Sequence, residues 1–550
     1  MSERTNAVKM NRRTFVQVAG GATVAAAGAP LLSSCADDQA SGPESFKPVK
    51  LPTYAANDVI EADLPAMDKG VLATCFQYPE SPKKVHPSPP AKGGSISMLK
   101  IATSGVPPAV GSNPFWQELN KRVGTDLKLN NVIQSDYSAK LSTTLAGGDL
   151  PDLVQLQLSG TPHLADVLTH EFQDLSPWLS GDAAKDYPNL AALPTSAWAN
   201  VAFAGGLWGV PWPLGVPGDD NKVRQDILDA MGLNADLSDG QDFLDLCREV
   251  SDPKGGRWAI DRITTALGMV GEMIGAPNGW KEENGTFTSA MVTEEYKDVL
   301  QTVRKMWKSE YIYPESLSST ANFHQWFANG TTVILRDGYT NWGPLTDLGL
   351  SVGDDFQISG IVTPRWEGGG QAAHYEGTGI YTFTAMKKAD EARVKELLAV
   401  LNWFATPFGS EEHLFVNFGL EGRDYTLNGS DPVATDTGIQ ECQQMNLSYI
   451  ATGPRWIYIP GHAEVAETDH RYLEKLMQES LPLPTVGLYS ETALTKGVTI
   501  TEKINDLRQE IVVGRQPLSA WDDAVQAWRS GGGDQMKTEY EEALSQAGGK

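Results

Sequence analysis

The sequence has few cysteines and a deficit of basic charge. Its 550 residues contain four cysteines, Cys35, Cys75, Cys247 and Cys442, at spacings that match no metal-binding pattern. Cys247 is expected to be a buried free thiol, while a bridge between Cys75 and Cys442 stays open. Lysine and arginine number 44 against 69 acidic residues, so the net charge is −25. This balance argues against a nucleic-acid partner and against long-range steering of an anionic substrate.

Hydrolase signatures are also missing. There is no Gly-x-Ser-x-Gly elbow and no Gly-x-x-x-x-Gly-Lys phosphate loop. His170 begins like a zinc-protease helix, but Asp174 replaces the second histidine. The stretch from His462 to His470 indicates a solvated polar face more than a metal site. Carboxylates are abundant, so a glycosidase pair stays open, although no local pattern selects one. We predict a protein that is not an enzyme and has no metal or cofactor.

The N-terminus carries two signals in sequence. Residues 15–32 are apolar but too short and too rich in Gly and Ala for a membrane-spanning helix, and they fit a signal peptide. The pair Arg12 and Arg13, followed by Phe15, resembles a twin-arginine export signal. Residues 32–35 (LSSC) resemble a bacterial lipobox, in which Cys35 becomes the lipidated first residue. We therefore expect residues 1–35 to be a leader, and the protein to be anchored by lipid at the outer face of the cell membrane.

The rest of the chain is long enough for two lobes, because 550 residues exceed what one core holds. Residues 36–94, rich in Pro, Ser, Ala and Asp, are predicted to form a linker or N-terminal arm. Strands predicted at 95–103, in KLNNVIQSD and in DLVQLQL alternate with helices that begin near Asn113 and Tyr137. This alternation predicts an α/β fold with a mostly parallel sheet.

Tryptophan is abundant, and many of the 15 lie beside Pro or Gly in predicted loops. Such rings offer flat apolar faces. A pyranose has an apolar C–H face and a polar rim, so it stacks on indole while polar side chains bind its hydroxyls. The loop tryptophans therefore favour an uncharged glycan as the ligand, although packing explains many of them as well.

Several ordered segments carry a family resemblance. They are LAGGDLPDLVQL at 145–156, GGLWGVPWP at 205–213, NKVRQDIL at 221–228 and FANGTTVILRDGYTNW at 327–342. With them, the chain resembles the family 1 extracellular solute-binding proteins of ABC importers, the maltose-binding-protein-like group. Three further segments resemble the long lipoprotein members of that family specifically, namely 311–316 (YIYPES), 401–428 and 528–544. Trp208 replaces the usual Tyr of the second segment, and Thr332 and Val333 replace Ala-Met in the fourth.

The resemblance implies a type II periplasmic-binding-protein-like fold, with two hinged α/β lobes that are each discontinuous. Lobe one is placed at 95–212 plus 354–388, and lobe two at 213–353 plus 389–550. The implied function is capture of a carbohydrate, most simply an oligosaccharide, by lobe closure, and delivery to the permease subunits of an ABC importer by a monomeric receptor. The alternatives are a secreted polysaccharide hydrolase or lyase, and the same fold with a peptide or polyamine cargo.

The candidate ligand-binding residues come from the resemblance, the loop aromatics and the predicted strand ends. The loop from Ser104 to Trp116 follows the first strand, and the aromatic residue that the family often has near Ser159 is absent. The predicted set is Trp116, Gln157, Ser159, Trp212, Asp219, Asp220, Trp280, Arg336, Tyr339, Trp342, Trp366 and Glu376.

Overall fold

The computed structural model describes residues 49–103, 105–158, 161, 164–318 and 322–546. Cys35, the leader, Ser104 and Ser159 lie outside these residues. The strands are β1 Ser95–Ala102, β2 Asp126–Ile133, β3 Leu153–Leu156, β4 Ala202–Phe203, β5 Gly206–Leu207, β6 Val210–Pro213, β7 Asp219–Arg224, β8 Trp258–Ile260, β9 Trp280–Glu283, β10 Thr286–Ser289, β11 Thr332–Gly338, β12 Ile358–Gly360, β13 His374–Tyr375, β14 Ile380–Met386, β15 Tyr425–Asn428, β16 Asp431–Ala434 and β17 Ser480–Leu481.

The helices are distributed along the whole described chain. They are α1 Pro114–Val123, α2 Gln134–Gly147, α3 Leu164–Glu171, α4 Ser176–Leu179, α5 Pro188–Ala191, α6 Thr195–Ala199, α7 Gln225–Met231, α8 Gly240–Val250, α9 Ile263–Ile274, α10 Glu294–Lys308, α11 Phe323–Ala328, α12 Trp342–Leu350, α13 Glu391–Phe404, α14 Glu411–Phe418, α15 Asp436–Glu441, α16 Ala463–Leu476, α17 Glu491–Thr495, α18 Gly497–Val512, α19 Ala520–Trp528 and α20 Asp534–Gln546. None of the described helices combines the length and apolar character needed to cross a bilayer.

The first lobe is built on a five-stranded sheet with the order β2-β1-β3-β14-β6. Strand β1 is parallel to both β2 and β3, and β14 runs antiparallel to β3 and β6. Most of β1 is buried, as expected for a central strand that is covered on both faces. The predicted order of strand, helix, strand, helix and strand between residues 95 and 156 is confirmed.

Local sequence signals set the limits of the helix after β1. The side chain of Asn113 accepts a hydrogen bond from the Trp116 backbone N–H, and Pro114 occupies the first helical position. Gly124 adopts the left-handed conformation with φ 80° and ends the helix. Phe115 and Leu119 face the core of the lobe, so α1 is fixed against the sheet by its apolar side.

The second lobe is built on a four-stranded sheet with the order β12-β7-β11-β8. Strand β7 is antiparallel to β11 and β12, whereas β8 is parallel to β11. Helices α8, α9, α10, α18 and α19 contribute to its apolar core, whose largest buried side chains include Phe243 and Trp521. The two sheets thus have separate cores.

Two segments pack differently from the predicted lobe boundaries. Residues 358–360 form β12 of the second sheet, although 354–388 was assigned to lobe one. Apolar side chains between Val394 and Ala451, from α13, α14 and the following segment, belong to the core of the first sheet, although 389–550 was assigned to lobe two. The physical reason is that the apolar side chains of α13 and α14 belong to the same buried cluster as those of β1, β3 and β14, and α13 packs against α5 and α14.

The chain passes between the two sheets at three crossover segments. Residues 214–218 join β6 to β7, residues 376–379 join β13 to β14, and residues 452–456 lead from the first core to α16. The first two segments are hydrogen-bonded, since the backbone N–H of Leu214 donates to Gly379 and that of Gly377 donates to Val216. The crossovers therefore form one connected strip between the lobes.

Residues 49–94 form an arm that contacts both lobes. The Thr53 backbone N–H donates to Gly181 of the first lobe, at 2.9 Å. On the other side, the Cys75 backbone N–H donates to Ile457, and the Thr74 hydroxyl lies 2.8 Å from Nδ1 of His470 on α16. The described part of the predicted linker is therefore packed against the protein as an arm.

The three described cysteines are buried free thiols. The bridge left open between Cys75 and Cys442 is not formed. Burial raises the pKa of the Cys75 thiol to about 11, so this group is uncharged at neutral pH. Cys247 lies fully buried on the apolar side of α8, as the sequence predicted.

Candidate ligand-binding site

The carboxyl ends of β1, β3 and β6 meet at one edge of the first sheet, where β14 begins. This edge carries Gln157 just after β3, Trp212 near the end of β6 and Tyr381 near the start of β14. Because the segment 214–218 leads directly into β7, the start of the second sheet lies next to this edge. In open α/β sheets, ligands bind in the crevice outside the carboxyl ends of the strands.

Three aromatic rings and one guanidinium form a cluster at this edge, which we call the Trp212 platform: Trp212, Tyr381, Tyr449 and Arg455. The ring centroid of Trp212 lies 5.7 Å from that of Tyr381 and 5.3 Å from that of Tyr449. All four side chains are half-buried. Partly exposed aromatic faces at a strand edge suit stacking against a ligand ring.

Polar side chains surround the platform and hold its rings. The Gln134 side-chain amide donates to the Tyr381 hydroxyl at 2.8 Å. The indole N–H of Trp212 is buried and has no acceptor among the described residues. Beneath Tyr449, the Lys100 ammonium donates to the Met445 carbonyl at 2.7 Å, which ties the segment before Tyr449 to β1. Burial lowers the pKa of Lys100 to about 7.

Arg455 joins the platform to the third crossover. Its guanidinium carbon lies 4.0 Å from the ring centroid of Trp212, a cation–π contact, and its Nε donates to the Pro213 carbonyl at 3.0 Å. Together with Tyr339, Trp342, Trp456 and Asp469, it lines a cavity of about 220 Å³ beside the crossovers. Burial lowers the pKa of Arg455, although the guanidinium stays protonated.

The second lobe faces this region with the start of β7 and the end of β11. Asp219 is exposed at the first position of β7, opposite Gly338 in the ladder. Tyr339 follows β11, and its hydroxyl accepts a hydrogen bond of 2.8 Å from the Gly215 backbone N–H in the first crossover. This bond places the aromatic loop at 339–342 directly against the strip that joins the lobes.

A buried ionic network supports the second sheet below this loop. Arg336 on β11 donates to Glu272 at 2.7 Å and to the side chain of Asn221 at 3.0 Å. Nδ1 of the buried His374 lies 3.0 Å from the same Glu272 carboxylate, while Nε2 donates to the Pro217 carbonyl in the first crossover. Burial alone would raise the pKa of Glu272, but Arg336 and His374 outweigh it and lower the pKa to about 2.

Several predicted ligand-binding residues are buried in a lobe core. Trp116 is 7 % exposed, and its indole N–H donates to the Leu127 carbonyl because α1 turns this face toward the sheet. Trp342 is 1 % exposed and donates to the carboxylate of Asp220, which is itself fully buried and paired with Lys222. These contacts hold Trp116 inside the first lobe and Trp342 beside the second sheet, at the cavity next to the crossovers. Their role in binding stays a prediction.

Three other predicted residues pack away from the platform. The ring of Trp280 contacts Phe287, Trp528 and Tyr540, so it belongs to the packing of β9 against the C-terminal helices. Trp366 covers Gly240 at the start of α8, where an added Cβ would lie 2.4 Å from the ring. Arg336 is engaged by Glu272, as described above. These side chains pack against elements that are distant in the sequence, and the local sequence does not show those contacts.

The remaining predicted residues lie at or beside the crossovers. Gln157, Trp212 and Asp219 flank the gap between the two sheet edges, and Tyr339 is buried against the first crossover. Glu376 opens the second crossover and accepts a hydrogen bond of 2.6 Å from the Ser480 hydroxyl. Their role in binding stays a prediction, and Ser159 lies outside the described residues.

Sequence reasoning missed three residues of the platform: Tyr381, Tyr449 and Arg455. A weak signal existed for Arg455, because it directly precedes Trp456 in the segment GPRW at 453–456, where a tryptophan lies close to Pro and Gly. Tyr381 lies within a predicted strand, and Tyr449 lies far along the chain in a segment with no distinctive motif. Only the fold brings them to Trp212.

A larger groove of about 1090 Å³ runs along α16 and β12 on the second lobe, but it does not include the aromatic rings of the Trp212 platform. It is lined by charged residues of α16 that are exposed, such as Glu467 and Arg471, and no residue of the platform or of the first lobe reaches it. Among the described residues, no group of three or more His, Cys, Asp or Glu side chains is placed to hold a metal ion.

The fold and the site define a protein that binds a solute between two α/β lobes. Residues 115–408 match the family described as bacterial extracellular solute-binding protein, and this chain belongs to that family. The match covers more than half of the chain and includes the whole second sheet and every strand of the first sheet except β1. The predicted family resemblance and fold class are thereby confirmed.

Two curated relatives from Bacillus subtilis are similar over most of their length. The polygalacturonan/rhamnogalacturonan-binding protein YtcQ is 25% identical, over 87% of this chain and 96% of the relative. Lipoprotein LipO is 23% identical, over 80% of this chain and 91% of the relative. Among solved structures, that of the alginate-binding protein AlgQ2 without calcium ion aligns with a TM-score of 0.61 at 14% identity, covering 84% of this chain and 100% of that one. This last likeness concerns the fold.

Proposed function

We propose that this protein is the lipid-anchored, extracytoplasmic receptor of an ABC importer and that it captures an oligosaccharide between its lobes. It binds its cargo without reacting with it and delivers it to permease subunits in the membrane. The observation that carries the proposal is the Trp212 platform, a set of half-buried rings at the edge where the two sheets meet. The polygalacturonan-binding relative and the lipoprotein relative support the ligand class and the anchor.

The platform suits a sugar because it combines flat apolar faces with hydrogen-bonding groups. The apolar face of a pyranose stacks on indole or phenol rings, and Gln134 and the tyrosine hydroxyls are placed to bind its hydroxyl groups. On the opposite side, Asp219 and the 339–342 loop belong to the second lobe. A ligand that touches both lobes favours the closed arrangement, since it gains contacts that the open arrangement does not offer.

The direct test is isothermal titration of the purified protein against a panel of oligosaccharides, with Trp212→Ala as the variant. We expect micromolar or tighter binding by the wild type and a loss of at least about tenfold in affinity for the variant, as for a buried aromatic anchor. Trp178→Ala is the matched control, because this ring is half-buried on α4 of the same lobe, away from the platform. It should leave affinity unchanged.

The same panel separates the proposal from its alternatives. Release of reducing ends during incubation would identify a hydrolase or lyase and contradict the receptor function. Binding of peptides or polyamines without binding of any glycan would keep the fold and overturn the ligand class. For the anchor, Cys35→Ala should move the protein from the membrane fraction to the medium, and unchanged membrane retention would contradict lipidation at Cys35.

A further inference from the structure

Arg455 is a half-buried cation in the crossover region between the two lobes. It lies in the third crossover, stacks on Trp212 of the first lobe, and lines the same cavity as Tyr339 of the second. Its Nε is occupied by the Pro213 carbonyl. The two terminal amino groups of the guanidinium form no hydrogen bond with the described residues, and none of the described carboxylates pairs with it.

Two other arginines that are shielded from water have a carboxylate partner. Arg336 binds Glu272 at 2.7 Å, and Arg224 binds Asp226 with two nitrogen atoms at 2.9 and 2.7 Å. Removing a charge from water costs free energy, which a nearby opposite charge normally offsets. Burial lowers the pKa of Arg455, as expected for a cation with no anion beside it. The fold thus holds one positive charge at the ligand site without supplying its counter-charge.

We propose that the ligand supplies this counter-charge: the site takes an oligosaccharide that contains a uronate, and Arg455 binds the sugar carboxylate. The inference rests on the proposed function and narrows its substrate class. A planar guanidinium with two free amino groups matches a carboxylate in a two-point contact. The stack on Trp212 fixes the plane of the guanidinium. The site therefore recognises the carboxylate and the stacked sugar ring of the same ligand at the same time.

The acidic surface of the protein is compatible with this specificity. A net charge of −25 opposes the long-range approach of an anion, but this repulsion is screened beyond roughly 8 Å at physiological salt. The contact at Arg455 forms at short range in a partly buried site, where charge interactions are stronger. We therefore expect the uronate ligand to associate faster as salt is raised, because screening removes the repulsion.

The test compares two probes of the same size and linkage, trigalacturonate and its fully methyl-esterified form, by isothermal titration. The wild type should bind the free acid at least about tenfold more tightly than the ester, as for a charge-assisted hydrogen-bonded pair. In Arg455→Gln this preference should disappear, because the affinity for the free acid should fall at least about tenfold more than the affinity for the ester. Arg455→Lys should retain part of the preference, since it keeps the charge but loses the planar fork.

Arg248→Gln serves as the control for removal of a positive charge, because Arg248 is an exposed residue of α8. It should keep the preference for the acid. Equal binding of acid and ester by the wild type would overturn the inference while leaving the sugar receptor intact. So would an equal loss for both probes in Arg455→Gln with an unchanged melting temperature. Absence of binding to any glycan in the wider panel would instead overturn the proposed function.

Discussion

The tryptophans illustrate how one residue type serves two purposes in this chain. Trp116 and Trp342 are almost fully buried, and each donates its indole N–H to an oxygen inside its lobe. Trp212 stays half-exposed at a strand end, and its indole N–H has no described acceptor. A position beside Pro or Gly in sequence does not separate these cases, because the neighbours that cover a ring come from distant elements.

Glu272 carries a pH-dependent part of the stability. Its folded pKa of about 2 lies below the ordinary value of 4.5, so its contribution is complete above pH 4.5 and is lost as the pH falls toward 2. We predict that Glu272→Gln lowers the free energy of unfolding by about 3 kcal/mol or more at pH 7, since the Arg336 guanidinium loses its counter-charge. Urea unfolding of the wild type and the variant measures their free energies of unfolding at pH 7 and at pH 3.

The difference in the free energy of unfolding between wild type and Glu272→Gln should be smaller at pH 3, because part of the stabilisation by the wild-type carboxylate is lost at that pH. Glu118→Gln is the control, because Glu118 forms exposed surface pairs on α1 that contribute little. If Glu272→Gln were as stable as Glu118→Gln at pH 7, the Arg336–Glu272–His374 network would not stabilise the second lobe.

At the scale of elements, the crossovers are held at a close backbone contact. A Cβ added to Gly377 would lie 2.8 Å from the Gly218 Cα, and one added to Gly218 would lie 2.9 Å from the Gly377 Cα. Gly218 also has φ +63°, a conformation that favours glycine. The two glycines let the first and second crossovers lie side by side, which sets the spacing between the two sheet edges.

Gly377→Ala tests this contact, because it adds one methyl group without requiring a left-handed backbone. We predict a loss of about 1–3 kcal/mol in the free energy of unfolding, typical of an overpacked contact, together with weaker glycan binding. Urea unfolding and titration measure the two effects. Gly353→Ala is the matched control, since nothing lies within 4 Å of its added Cβ. If Gly377→Ala and Gly353→Ala have the same free energy of unfolding and the same glycan affinity, the two crossovers can move apart without loss of stability, which would contradict this prediction.

At the scale of the whole molecule, the receptor function requires that a ligand bring the lobes together. We predict that a saturating oligosaccharide reduces the radius of gyration measured by small-angle X-ray scattering. It should also stabilise the fold by about 2.7 kcal/mol when its concentration is 100 times the dissociation constant. A higher melting temperature with an unchanged radius of gyration would indicate binding without closure and contradict the closure mechanism.

Much of the fold was predictable from local sequence. The strands and helices between residues 95 and 156 follow from hydrophobic periodicity, from Asn113 and Pro114 at the start of α1, and from Gly124 at its end. The site was predicted less well. Trp212 and Gln157 lie at the sheet edge as expected, but Tyr381, Tyr449 and Arg455 come from three separate segments, and no local pattern links them.

The sequence by itself determined the α/β class, the family, and the order of elements in the first lobe, because periodicity, caps and ordered motifs act over a few residues. The tertiary structure decided which aromatic rings are covered and which are left at the sheet edge. It also decided that α13 and α14 join the first core and that Arg455 has no carboxylate partner in the described part of the chain. These outcomes depend on contacts between residues far apart in the chain, and only the packed fold brings them within range of one another.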